Sequence, residues 1–246
     1  MQIIPAFVTQ NKCYQAGAPL TPRGIMLHSV GTPQPSAAVF ARSFNQYQPG
    51  GVSVCVHAFA QADGTVYQTL PWEMRGWHCG GSANSTHIGV EMIEPSAGMT
   101  RSEAAEQIAG TYRTVVELFA ELCKQYELDP AQDGVIIGHA EGHRRGVASN
   151  HADPELLWRT YDMGYTMDGF RRDVAEAMKN GAREEALDMP RYDSVAEMPQ
   201  WARAGVQRLI DRGVLSGVGN GKLDLSLDMI RTMIVCQRML DEQKET

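Results

Sequence analysis

Two short apolar segments of this chain each end in a histidine, and they constrain the fold more than any other feature. Residues 24–27 precede His28, and residues 134–138 precede His139. Short apolar runs bounded by turn residues are typical of buried β-strands. Because a strand end holds a side chain rigidly, two such histidines at one sheet edge predict a site built on that edge.

A downstream carboxylate completes the pattern. Asp153 stands immediately before Pro154, beyond the second histidine. Imidazole and carboxylate are good zinc ligands, and a catalytic zinc needs three protein ligands with one position left for water. We therefore predict one zinc ion per chain, held by His28, His139 and Asp153. The alternatives are structural: a strand-end histidine is often a hydrogen-bonding residue, and an Asp before Pro can simply begin a turn.

The remaining pattern predicts an α/β or α+β domain, with a mixed β-sheet flanked by helices. Apolar and β-branched residues around the turn at 62–65 predict a hairpin. Helical spacing of apolar residues predicts a long amphipathic helix over 102–126. Residues 1–20 are expected to be an irregular lead-in, and Ser36 is expected to cap a helix. The further elements predicted are strands at 52–60, 66–70 and 88–94, a helix at 37–45, and a helix at 158–180 with a glycine-containing break.

We predict two domains. Residues 1–180 form the domain that carries the site, and residues 181–191 form a charged, proline-containing linker. Residues 192–246 form a small helical unit, with helices predicted at 199–211 and 226–240.

Composition excludes several partner classes. With 246 residues and 43% hydrophobic content, the chain can bury a sizeable core. A net charge of -7 without a basic run argues against nucleic acid. No apolar run of about 18 residues is present, so no membrane partner is predicted. Without a visible signal peptide and with five scattered cysteines, we expect cytoplasmic synthesis with free thiols.

Five motifs stand in the order found in a known family. They are Gly-Ile-Met-Leu-His-Ser at 24–29, Val-His-Ala-Phe at 56–59 with Asp-Gly-Thr-Val-Tyr-Gln at 63–68, Gly-Trp-His-Cys-Gly-Gly at 76–81, Ile-Gly-Val-Glu at 88–91, and Gly-His at 138–139 with His-Ala-Asp-Pro at 151–154. Over residues 20–175 the chain resembles the type-2 N-acetylmuramoyl-L-alanine amidases. These zinc hydrolases are related to phage lysins and peptidoglycan recognition proteins. Ser-Asn-His-Ala-Asp-Pro at 149–154 resembles phage or prophage endolysins in particular.

The resemblance implies zinc in a cleft on a mixed sheet, with peptidoglycan as the substrate. It assigns the zinc ligands as His28, His139 and Asp153, and it assigns Glu91 as the general base. Many members carry a Lys that stabilises the oxyanion two residues before the third ligand. His151 stands there in this chain, which is a departure that leaves its role open. Glu94 is the competing base, and His151 can also be an ordinary surface residue.

Three further residues are candidates for substrate contact. His57, His78 and Trp77 lie in the family's motifs. Either histidine can instead support a ligand from behind. Packing roles are equally compatible with the sequence for all three.

A separate pattern lies in residues 192–240: Tyr-Asp-Ser-Val at 192–195, Trp-Ala at 201–202, Ala-Gly-Val-Gln-Arg-Leu at 204–209, Gly-Val-Leu-Ser-Gly at 213–217 and a closing helix at 225–239. It resembles one S-layer homology repeat. Such repeats bind cell-wall polymers and usually occur in threes, so a single copy suggests docking on the catalytic domain or homo-oligomerisation. The resemblance to amidases and endolysins implies the function of the whole chain. It is hydrolysis of the amide between N-acetylmuramic acid and L-alanine by a bacteriolytic endolysin released through a holin-type pore. A non-catalytic peptidoglycan-binding module and a muropeptide-recycling amidase are the alternatives.

Overall fold

A six-stranded mixed sheet forms the centre of the first part of the chain. The computed structural model describes residues 1–34, 36–46, 54–188 and 191–242, which divide into two compact units, 1–180 and 181–246. The strands of the first unit are β1 (Gln2–Pro5), β2 (Gly24–Ser29), β3 (Ala58–Ala60), β4 (Thr65–Gln68), β5 (His87–Met92) and β6 (Ile136–Gly138). Their order is β1-β4-β3-β5-β2-β6. Only β3 and β4 pair antiparallel; the other neighbours are parallel.

Helices flank this sheet, as the sequence predicted, so the α/β fold class is confirmed. They are α1 (Lys12–Ala16), α2 (Ala37–Phe44), α3 (Arg101–Gln125), α4 (His139–Arg144), α5 (Glu155–Thr160) and α6 (Met167–Asp188). Thr100 and Glu103 form a capping box at the start of α3, which satisfies backbone donors there. Phe119 of α3 and Phe170 of α6 are fully buried in the main core. Full burial of one such side chain contributes about 1.5–3 kcal/mol.

Strand alternation separates the core face of the sheet from the site face. On β2, Ile25 and Leu27 lie in the main core. Met26 packs in a separate cluster with Cys79 and Ala83. Since successive side chains of a strand point to opposite faces, His28 shares the face of Met26. The sheet therefore places His28 on the face opposite the long helices.

The same alternation applies to β5. Ile88 and Val90 join the main core, so Gly89 and Glu91 lie on the other face. In the β2–β5 ladder, His28 pairs with Glu91. The two polar side chains are therefore neighbours across adjacent strands.

Several sequence-based boundaries were wrong. Residues 1–20 are not irregular, because they contain β1 and α1; β1 gains its backbone partners from β4, which is distant in sequence. The strand predicted at 52–60 is limited to Ala58–Ala60, and residues 47–53 lie outside the described chain. Ser36 precedes α2 but makes no side-chain cap hydrogen bond. Helix α6 continues past Asn180, so the first part of the predicted linker is helical.

The second unit contains two helices and a small sheet. Helices α7 (Gln200–Asp211) and α8 (Leu227–Glu242) pack through a buried cluster that includes Val206 and Ile230. The sequence did not predict the two-stranded antiparallel sheet of β7 (Arg191–Tyr192) and β8 (Leu225–Ser226). Strands this short carry too little periodicity to be recognised from sequence.

Across the described residues of both units, no helix combines the length and the apolar character needed to cross a bilayer.

Candidate active site

Three potential metal ligands converge at one edge of the sheet. His28 lies near the end of β2, His139 directly follows β6, and Asp153 precedes α5. Nδ1 of His28 lies 3.0 Å from Nδ1 of His139 and 3.2 Å from Oδ2 of Asp153. Nδ1 of His139 lies 3.5 Å from Oδ1 of Asp153. The structure thus brings together the three residues proposed as ligands.

The chemistry of these donors suits zinc. Their ligand atoms lie within 4.8 Å of one another, and two imidazoles with one carboxylate leave a fourth position open. Burial lowers the pKa of His28, which favours the neutral form that binds metals. Burial acts to raise the pKa of Asp153, but hydrogen bonds with His139 and His28 outweigh it and lower that pKa. The residues present therefore fit a divalent cation.

A chain of hydrogen bonds holds Nε2 of His28, the ring nitrogen that points away from His139 and Asp153. Nε2 of His28 lies 2.9 Å from Nδ1 of His78. Nε2 of His78 lies 3.1 Å from the carbonyl oxygen of His87. Burial lowers the pKa of His78 well below its usual range, and the neighbouring His28 and His57 lower it further. His78 thus contacts a proposed ligand directly.

Ser149 contacts Nε2 of His139, the ring nitrogen that is not beside His28. Its hydroxyl donates to the carbonyl oxygen of Cys79 at 3.0 Å. Its oxygen therefore accepts from Nε2 of His139, 3.3 Å away. Sequence reasoning missed Ser149, although its place at the start of the Ser-Asn-His-Ala-Asp-Pro motif was a signal.

An ion pair fixes the chain where β6 becomes α4. Glu141 accepts two hydrogen bonds from Arg171, at 2.9 and 3.0 Å, and one from the backbone nitrogen of Gly138 at 3.3 Å. Arg171 also donates to the carbonyl oxygen of Ile136 at 2.8 Å. These contacts hold the backbone on which His139 stands. Nothing in the sequence pattern connected Arg171 with the site.

Glu91 lies beside the three ligands with an unused carboxylate oxygen. Its Oε2 is buried and has no hydrogen-bond partner among the described residues. Burial raises the pKa of Glu91 well above its usual range, and the charges of Asp153 and Glu94 add to the effect. By contrast, Oε1 of Glu94 accepts from Ser29 and from the backbone of Gly31. Glu91 is therefore the freer of the two carboxylates.

His151 contacts the outer side of His139. Its Nδ1 lies 3.2 Å from Nε2 of His139 and 3.1 Å from Oγ of Ser149. The two imidazole rings have centroids 4.5 Å apart. The residue is exposed and lines the cleft.

These side chains line an open cleft of about 620 Å³. Its polar wall contains His28, Glu91, His139, His151 and Asp153, and its apolar wall contains Phe44, Val54, Val56, Leu156, Leu157 and Tyr161. A second recess of about 520 Å³ shares Val54, His78 and His151 with the cleft and is also lined by Trp77.

His57 lies apart from both recesses. It is fully buried, and Nε2 donates to the carbonyl oxygen of Met74 at 2.7 Å. Its Nδ1 accepts from the backbone nitrogen of Gly89 at 2.9 Å. Both ring nitrogens are therefore occupied by the backbone, which favours packing over substrate contact.

Comparison with known proteins agrees with this geometry. Residues 18–156, more than half of the chain, match the family model described as N-acetylmuramoyl-L-alanine amidase. Comparison with curated proteins by sequence gives no match.

Three solved structures illustrate the likeness of the fold. The Staphylococcus aureus hydrolase AmiA, in complex with its ligand, has a TM-score of 0.56 at 20% identity, covering 72% of this chain and 83% of AmiA. The catalytic domain of XlyA has a TM-score of 0.51 at 22% identity, covering 71% and 99%. A mutant endolysin from Bacillus subtilis has a TM-score of 0.51 at 20% identity, covering 71% and 99%. At these identities the likeness shows the fold.

Proposed function

The chain belongs to the N-acetylmuramoyl-L-alanine amidase family, and we propose that it is a zinc-dependent, bacteriolytic enzyme of the bacterial cell wall. It would hydrolyse the amide between N-acetylmuramic acid and L-alanine in peptidoglycan. The observation that carries this proposal is the convergence of His28, His139 and Asp153 beside Glu91, whose Oε2 has no hydrogen-bond partner among the described residues. A module that only binds peptidoglycan would need neither a complete set of metal ligands nor a base, whereas this cleft holds candidates for both.

His28, His139 and Asp153 would hold the metal. Zinc in this position supplies Lewis-acid polarisation of the scissile carbonyl and lowers the pKa of an attacking water. The chain's own residues then supply orientation and proton transfer.

We propose Glu91 as the general base. A carboxylate with a raised pKa is a better proton acceptor near neutral pH than an ordinary glutamate. Its buried Oε2, which has no hydrogen-bond partner within the described part of the chain, would take the proton of the water and pass it to the leaving amine of L-alanine. Glu94 is less suited because Ser29 and Gly31 already occupy its Oε1.

We propose that His151 stabilises the oxyanion. Its ring lines the cleft beside His139, and a hydrogen on Nε2 would make it a donor. That donor would be available to the negative oxygen that develops on the scissile carbonyl. The imidazole would thus replace the Lys that many relatives carry at this position.

Trp77 is proposed as a contact for the substrate beside the metal site, because it lines the recess that adjoins His78 and His151. For the second unit, we propose that it binds cell-wall polymers, as S-layer homology repeats do. Pelleting of the full chain with purified walls tests the latter proposal, and sedimentation tests homo-oligomerisation through that unit. Holin-type release is the proposed route to the wall, tested by lysis with and without a coexpressed holin.

The primary test pairs zinc analysis with cleavage of purified Gram-positive cell walls. We expect one zinc per chain, release of L-alanine amino termini, and loss of activity on chelation that added zinc restores. Metal binding without cleavage would support the recognition alternative. Cleavage of soluble muropeptides but not intact walls would support recycling. Cleavage without metal dependence would reject the zinc site.

A further inference from the structure

We propose that His78 is a positioning residue that fixes the tautomer of His28 and thereby presents Nδ1 of His28 to the metal. The inference rests on the proposed zinc site and adds a residue that supports it from behind. It replaces the expectation that His78 contacts substrate.

A backbone carbonyl fixes which nitrogen of His78 carries the hydrogen. The carbonyl oxygen of His87 lies 3.1 Å from Nε2 of His78, and a carbonyl oxygen can only accept. Nε2 of a neutral His78 must therefore carry the hydrogen, which leaves Nδ1 as an acceptor. Nδ1 of His78 lies 2.9 Å from Nε2 of His28, so Nε2 of His28 must be the donor.

The tautomer of His28 determines which of its nitrogens can bind the metal. A neutral His28 with its hydrogen on Nε2 has a free lone pair on Nδ1. That nitrogen is the one 3.0 Å from Nδ1 of His139 and 3.2 Å from the carboxylate of Asp153. A fixed backbone acceptor thus selects, through one intervening ring, which nitrogen of His28 can bind a cation. Partners of this kind orient ligand rings and raise ligand affinity.

Packing holds the His78 ring in this orientation. A Cβ added at Gly89 would lie 2.4 Å from Cγ of His78, and one added at Gly76 would lie 3.0 Å from Cδ2. The ring therefore occupies a slot that two glycines leave open. No larger residue fits at Gly89 unless the ring moves.

The backbone beneath the ring is also fixed. Oδ1 of Asn84 accepts from the backbone nitrogens of His78 at 2.9 Å and Cys79 at 3.0 Å. The carbonyl oxygen of Cys79 in turn accepts from Ser149, which contacts His139. The adjacent residues His78 and Cys79 therefore support both proposed histidine ligands. His78 contacts His28 directly, and Cys79 supports His139 through Ser149.

Two variants separate the hydrogen bond from the shape of the ring. His78→Asn places an amide oxygen near the position of Nδ1 and keeps an acceptor for His28. His78→Phe keeps a ring of similar size for the slot and removes the acceptor. Circular dichroism and thermal unfolding would test whether each variant folds.

The first measurement is the zinc dissociation constant by chelator competition. We expect His78→Phe to bind zinc about 10- to 100-fold more weakly than wild type and His78→Asn to stay close to wild type. Wild-type zinc affinity in a folded His78→Phe would overturn the positioning role of His78 and leave the proposed zinc function intact. A wild-type protein that binds no zinc would overturn the zinc function and this inference together.

The second measurement needs neither zinc nor activity. Nitrogen-15 histidine NMR of the metal-free protein at about pH 8, where imidazoles are neutral, shows which ring nitrogen of His28 carries the hydrogen. We expect Nε2 in wild type and His78→Asn, and a mixture of tautomers in His78→Phe. A wild-type His28 protonated on Nδ1 would overturn the proposal. So would a raised KM in His78→Phe with unchanged zinc affinity, since that result would assign His78 to substrate contact.

Discussion

His28 and Glu91 are paired residues on the adjacent parallel strands β2 and β5, and both side chains line the same cleft. Because a strand alternates its side chains with a period of two, this register places a proposed ligand and a proposed base side by side. A one-residue slip of β5 would turn Glu91 into the core and Val90 toward the cleft. The pairing of two strands therefore decides whether this chemistry is available.

Replacing Glu91 tests the base. Glu91→Gln keeps the size of the side chain and removes the proton acceptor, so we expect the amidase rate to fall about 10²- to 10⁴-fold. Zinc content should be unchanged, because Glu91 is not a proposed ligand. Release of amino termini from purified walls and elemental analysis measure the two quantities.

Glu94→Gln is the matched control for that variant. Glu94 lines the same cleft, but its Oε1 is held by Ser29 and Gly31. We expect it to retain most of the activity. If Glu94→Gln loses activity while Glu91→Gln retains it, the base has been assigned to the wrong carboxylate.

Removing the carboxylate ligand should remove the metal. In Asp153→Ala, two imidazoles remain from a set of three ligands, so we expect zinc content well below one per chain and loss of activity. Asp162→Asn is the control, because Asp162 is an exposed residue in an ion pair with Arg101. Asn also tolerates its positive φ of 52°. Full zinc content in Asp153→Ala would contradict the proposed ligand set.

His57 predicts a pH dependence of stability. Burial lowers the pKa of His57 to about 4, although the hydrogen bond to the Met74 carbonyl and the charge of Glu73 oppose the shift. Between about pH 6.5 and this value, the unfolded chain binds a proton at His57 and the folded chain does not. The free energy of unfolding should therefore fall as pH falls through this window, by about 3 kcal/mol in full.

Denaturant unfolding of the chelated protein across that window measures the effect. His57→Gln retains a donor and an acceptor but does not titrate. The slope of its unfolding free energy against pH should therefore be smaller, by the contribution of about one proton. An identical slope in both proteins would contradict the assignment.

Asn84 should stabilise the loop that carries His78. Asn84→Ala leaves the backbone nitrogens of His78 and Cys79 without their acceptor, and each unsatisfied buried group costs about 1–3 kcal/mol. Asn84→Asp keeps an acceptor for both and should retain more of the stability. Unfolding free energies of the three proteins measure this, and equal losses in both variants would show that the acceptor is not what matters.

Local patterns were enough to recognise some elements and not others. Helix α3 was predicted within one residue at each end because its apolar residues repeat at helical spacing. β1 was missed because four residues carry little periodicity and their partner, β4, is far away in sequence. Helix α6 was predicted to end too early because the charged residues beyond Asn180 resemble a linker.

The sequence by itself determined which residues could form the candidate site. The histidines near the end of β2 and directly after β6 and the Asp153-Pro154 pair were identifiable because strand ends and ligand chemistry are local properties. Glu91 was identifiable because its Ile-Gly-Val-Glu motif resembles that of a known family. Only the tertiary structure decided that His78 lies behind His28, that Ser149 lies behind His139, and that both nitrogens of His57 are used by the backbone. Those contacts depend on strand register and on the path of a loop, and both are set by packing between segments distant in sequence.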